Sequence, residues 1–115
     1  MITFDHVSKT YSPDTKAVED FSLTICPHTT TVFLGTSGCG KTTVLKIIAG
    51  LVPPDSGEII LDGKNINHTP PGKRGIGMVF QDYALFPHLN VEENIFYGLI
   101  SQGASKKEAR KAIAP

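Results

Sequence analysis

Eight consecutive residues, Gly35-Thr36-Ser37-Gly38-Cys39-Gly40-Lys41-Thr42, have the types and spacing needed to hold a chain of phosphates. The pattern is a glycine, four residues, then glycine, lysine and a hydroxyl residue. Binding such an anion needs backbone N–H groups turned inward, in conformations that side chains would obstruct. It also needs a helix N-terminus, where unpaired donors and the positive dipole end favour negative charge. Lys41 is then expected to reach the β- and γ-phosphates, and the Thr42 hydroxyl to complete a Mg²⁺ shell. Thr43, the next residue into the helix, belongs to the same candidate nucleotide-binding set.

A loop of this kind works only between a strand and a helix, and the flanking residues read that way. Thr31-Val32-Phe33-Leu34 is a β-branched and apolar run that predicts a strand buried on both faces. After the loop, Val44, Leu45, Ile47, Ile48 and Leu51 recur at helical spacing until Pro53-Pro54 ends the pattern. Upstream, Ile2, Phe4 and Val7 mark a first strand, followed by a turn at Tyr11-Ser12-Pro13-Asp14. Phe21, Leu23 and Ile25 alternate as in a half-buried second strand. Gly57 to Leu61 is another strand, closed by the Asp62-Gly63 turn; Pro70-Pro71-Gly72 is a loop, and Ile76 to Phe80 a further buried strand. Asn90 predicts the cap of a helix opening at Val91, where Glu92 and Glu93 favour the dipole. Ser105 and Glu108 form a capping-box pair ahead of a second helical pattern reaching Ala114.

Bulk composition narrows the function classes. The 115 residues fit at most one domain, and 40% apolar residues suffice for a core. Eleven basic residues balance eleven acidic ones, so charge offers no reason to expect a nucleic-acid partner. No apolar run approaches the roughly 20 residues that span a bilayer, and the first residues lack the marks of a signal peptide. The expected location is the cytoplasm. Cys26 and Cys39 form neither a disulfide framework nor a zinc spacing, and His6, His28, His68 and His88 are scattered without ligand spacing. Lys106, Lys107, Arg110 and Lys111 read as a solvated helix face.

Longer stretches resemble one family. Leu34 through Leu45 resembles the phosphate loop and first helix of the ABC (ATP-binding-cassette) ATPases. Ala49-Gly50-Leu51 and Pro54-Asp55-Ser56-Gly57-Glu58-Ile59 resemble the segment that follows, and Gly75-Ile76-Gly77-Met78-Val79-Phe80-Gln81 the strand ending in the Q-loop glutamine. Tyr83 through Ile95 looks most like importers of iron, sugars, polyamines or oxyanions. Thr36, where proline is usual, and Cys26-Pro27-His28-Thr29, where a glycine turn is common, depart from the pattern.

The resemblance implies an α/β fold: an N-terminal antiparallel β subdomain plus part of a RecA-like parallel core, with the chain stopping inside the helical subdomain. It implies ATP and Mg²⁺ as cofactors, with Tyr11 stacking on adenine and Gln81 contacting Mg²⁺ and the attacking water. Leu85, Phe86, Pro87, Leu89 and Val91 are expected to dock a transmembrane permease subunit at the inner face of the membrane, and a second ATP-binding subunit to complete the site. The signature motif, the second acidic strand and the switch histidine of the family do not occur in residues 1–115. The chain alone is therefore expected to bind but not turn over ATP, and to be poorly stable. A non-transport ABC ATPase of DNA repair or translation, or a catalytically dead product, are the alternative readings.

Overall fold

The computed structural model describes residues 1–114, which form two compact units, Met1–Met78 and the residues from Val79 onward. In the first unit, β1 (Ile2–Ser12) and β2 (Thr15–Ile25) make a hairpin about Pro13 and Asp14. β3 (Ser56–Leu61) pairs with the other edge of β1, and the two-residue β4 (Lys64–Asn65) returns across Asp62-Gly63. The order is β2-β1-β3-β4, and every pairing is antiparallel.

Register decides which side chains share a face. Phe4 stands opposite Leu23 on one side and Ile59 on the other, so the three stack across the sheet. Past Asp5 the register slips: His6 takes a φ of 49°, and Gly57 opposite takes 82°. A Cβ on Gly57 would lie 2.3 Å from the His6 carbonyl oxygen, so only glycine lets β3 pass the bulge.

Helix α1 (Lys41–Ala49) lays Val44, Ile47 and Ile48 into a core with Phe4, Val7, Val18, Ile59 and Ile66. It ends at Gly50, whose left-handed backbone (φ 80°) lets its N–H donate to the Ile47 carbonyl, while the Leu51 N–H donates to Lys46. A charged side chain completes this end. Arg74, only 7% exposed, donates from Nη1 to the Ile47 and Ile48 carbonyls at 2.9 and 3.0 Å, and from Nε to Thr69 at 2.8 Å. Burial pushes the guanidinium's pKa down from its ordinary value. The negative end of the helix dipole supplies the compensating charge.

The two runs expected to be buried strands are not strands. Residues 31–34 and 76–80 carry no strand pairing, and Val32, Leu34 and Val79 are 70%, 89% and 92% exposed. An apolar run becomes a strand only where a neighbour offers backbone N–H and C=O groups, and among the described residues neither run has one. Phe33 and Ile76 nevertheless pack on the core, Phe33 edge-on to Phe21 at 6.4 Å between centroids.

The second unit contains α2 (Val91–Ser101) and α3 (Lys106–Ile113). Both expected capping boxes form: Asn90 accepts from the Glu93 N–H, and Ser105 from the Glu108 N–H, each acid reaching back to its cap. Phe96 and Ala109 are buried. The face expected to be merely solvated is in part paired. Arg110 holds Glu92 through two bonds of 2.8 and 2.9 Å, and Lys106 holds Glu93 at 3.1 Å.

Candidate functional site

The glycine-rich loop at residues 35–42 owes its shape to two left-handed glycines, Gly38 (φ 82°) and Gly40 (φ 98°). Gly40 is also packed against β2, where a Cβ would meet the Ala17 carbonyl oxygen at 2.1 Å. Any side chain there would push the loop off the sheet. Gly40 stands at the N-cap of α1, no side chain caps that end, and the first turn carries no acid. Its amide donors and dipole are therefore available to an anion.

Lys41 folds back over the loop. Its Nζ donates to the carbonyls of Gly35 and Thr36 at 2.6 and 2.8 Å and approaches the Cys39 Sγ at 3.3 Å. The ammonium is thus held where the loop converges, and no carboxylate among the described residues is paired with it. A cavity of about 370 Å³ opens beside it, lined by Ser37, Gly38, Gly40, Lys41, Thr42 and Thr43 and closed on the other side by Tyr11 and residues 15–17. Tyr11, 52% exposed, places its hydroxyl 3.4 Å from the Thr43 Oγ1. Residues far apart in sequence, Tyr11 and the loop, therefore share one cavity. Gly35, Thr36 and Cys39 serve it from behind, through the lysine.

Two residues near Tyr11 escaped the sequence reading, Lys9 and Asp55. The Lys9 Nζ donates to Asp55 Oδ1 at 2.9 Å, and the Thr10 N–H donates to Oδ2 at 2.7 Å. The Thr10 N–H, then Lys9, hold the Asp55 carboxyl below its ordinary pKa. A depressed carboxyl contributes stability above the unfolded aspartate value, about 3.9, and loses it as pH falls through the lower folded value. Melting temperature followed from about pH 5 to pH 2 is expected to fall less steeply in Asp55→Asn than in the unaltered chain. Parallel curves would mean that Asp55 is not a source of the acid limb.

In the second unit, Leu85, Phe86, Pro87, Leu89 and Val91 line a cavity of about 330 Å³ together with Asn94 and Ile95. Leu85 and Val91 are 73% and 77% exposed. Asn94, also missed from sequence, holds this loop: its Oδ1 accepts from the Phe86 N–H, and its Nδ2 donates to the Phe86, Leu89 and Asn90 carbonyls. Phe86 stacks at 4.3 Å on Tyr97 of α2. The apolar residues are therefore displayed by a fixed loop. Gln81 is exposed, in the turn where the Tyr83 N–H donates to the Phe80 carbonyl.

Comparison with known proteins bears on both units. The family model described as "ABC transporter" matches residues 18–114. The Fe(3+) ions import ATP-binding protein FbpC of Agrobacterium fabrum (strain C58) is 49% identical over 110 residues, 96% of this chain. Its counterpart from Brucella abortus (strain 2308) is 48% identical over the same length. The chain spans 31% of the length of each of these relatives. Among solved structures, the ATP-binding cassette MJ0796, a dimer in a post-hydrolysis state bound to ADP and Pi, superimposes with a TM-score of 0.85 at 32% identity. That match covers 96% of this chain and 53% of the cassette.

Proposed function

Because this chain belongs to the ABC transporter family, we propose that it is the nucleotide-binding part of an importer's ATP-binding subunit, which couples ATP binding and hydrolysis to solute uptake. The observation that carries this reading is the single cavity shared by the Lys41 loop, the open N-terminus of α1 and Tyr11. In it the β- and γ-phosphates lie along the amides and Lys41, and the adenine stacks on Tyr11. The Thr42 hydroxyl is exposed at the cavity and has no protein hydrogen-bond partner among the described residues. A hard oxygen donor left free beside phosphates suits Mg²⁺, which keeps most of its water and needs few protein ligands. When bound, the ion would neutralise phosphate charge; a role for Gln81 toward Mg²⁺ and the attacking water is carried over from the family resemblance alone. Titrating the chain with ATP by calorimetry, with Mg²⁺ and then with EDTA, tests the reading. Binding that strengthens with Mg²⁺, and loses that dependence in Thr42→Val, is expected; no binding in either condition overturns it.

The exposed apolar loop around Phe86 favours a transport role over DNA repair or translation. We assign it to a helix of a transmembrane permease subunit, seated in the Leu85–Ile95 groove as a helix-in-groove contact. We propose that the subunit works at the inner face of the membrane, as a pair with a second ATP-binding subunit. In the whole importer, Leu85→Asp and Phe86→Asp are expected to abolish co-purification with the permease and leave ATP affinity unchanged. Permease capture equal to the unaltered protein would remove the assignment. The relatives' names make ferric iron the first solute to test in an uptake assay.

A further inference from the structure

We propose that Lys9 and Asp55 are positioning residues that set the nucleobase platform, by covering one face of Tyr11 and leaving the other for a purine. The inference rests on the reading of the cavity as a nucleoside triphosphate site. A phenol ring at the exposed end of a strand makes a useful platform only if its orientation is held. The Tyr11 hydroxyl has one long tether, to Thr43 at 3.4 Å. The ring has a second. The Lys9 Nζ lies over it, 5.8 Å from the centroid, within reach of the ring quadrupole.

The ammonium is itself fixed. The Lys9 side chain is only 14% exposed and is paired with Asp55. Asp55 in turn is tied to β1 on both sides of Lys9, accepting from the Thr10 N–H and donating its own N–H to the Ser8 carbonyl at 2.9 Å. The Asp55 carboxylate thus locks the cation to the strand that carries Tyr11. Tyr11 lines the cavity and Lys9 does not, so the cation covers the ring from outside the cavity. It also draws electron density toward itself, which makes the opposite face a better partner for an electron-rich purine.

Two titrants separate this role from phosphate binding: Mg-ATP, and Mg-tripolyphosphate, which has no base. Lys9→Met is expected to lower ATP affinity about fivefold and leave tripolyphosphate affinity unchanged. Lys9→Arg, which keeps a cation over the ring, is expected to restore ATP affinity to within about twofold. Tyr11→Ala is expected to lower ATP affinity at least tenfold, and adding Lys9→Met to it to cause no further loss. Asp55→Asn gives an independent route to the same split if Lys9→Met does not fold. Equal losses for both titrants, or losses that add in the double variant, overturn the inference while leaving the phosphate loop intact. Failure of the unaltered chain to bind either titrant overturns the site reading itself, and the inference with it.

Discussion

Replacing Lys41 by alanine is expected to weaken Mg-ATP binding about a hundredfold, roughly 3 kcal/mol. The size follows from what the ammonium does in the structure. It belongs to the loop itself and is already oriented by the Gly35 and Thr36 carbonyls. Removing it takes away that charge and frees two carbonyls that repel phosphate oxygens. Lys41 is partly exposed and packs little core, so the melting temperature of the variant should stay within a few degrees of the parent. Calorimetry with Mg-ATP measures the loss. An unchanged affinity would exclude the loop as the phosphate site.

Arg74→Ala is the variant expected to cost most in stability, about 3 kcal/mol against the roughly 5–15 that holds a typical domain together. The guanidinium is buried and bonds the Ile47 and Ile48 carbonyls at the end of α1, of which Ile47 also accepts from the Gly50 N–H. Its loss takes the guanidinium donor from the Ile48 carbonyl, leaves Ile47 with the Gly50 N–H alone, and opens a void beside Gly50, where Arg74 Nε stands 2.7 Å from the position a Cβ would take. Because α1 begins at the glycine-rich loop, fraying at its far end is expected to loosen the candidate anion site as well. Arg74→Lys should recover little, since one ammonium cannot span the carbonyls reached by the planar fork. Urea denaturation of both variants measures the cost, and a loss below about 1 kcal/mol in Arg74→Ala would show that water replaces the side chain freely.

Local signals are legible in this sequence and long-range ones are not. Asn90, Glu93, Ser105 and Glu108 announce their helices because a cap and its partner lie three residues apart. The loop ahead of α1 is legible for the same reason: its glycines and the Lys41 ammonium are joined within six residues. Arg74 is different. Nothing near it in sequence shows that it reaches back to Ile47, and a lone arginine ordinarily reads as surface. Lys9 and Asp55 are likewise joined only through the sheet, across 46 positions. Asn94 looks like one more polar residue of a helix start, yet it holds the loop before it. Residues 31–34 and 76–80 fail in the opposite sense. Their composition suits a strand, but composition says nothing about whether a pairing partner stands beside them.

The manner in which Lys41 is held has a kinetic consequence. Carbonyl dipoles fix its ammonium without cancelling the charge, and the first turn of α1 brings no acid to do so. The chain as a whole carries no net charge, so its far field attracts no anion. Within a Debye length, about 8 Å in physiological salt, the uncancelled lysine and the helix end dominate, because Lys16, which also lines the cavity, is paired with Glu19. Attraction therefore begins only in the last steps of an encounter. Association with a triphosphate should slow with added salt by a modest factor, as for a single charge, and the dissociation rate should carry most of any difference between nucleotides.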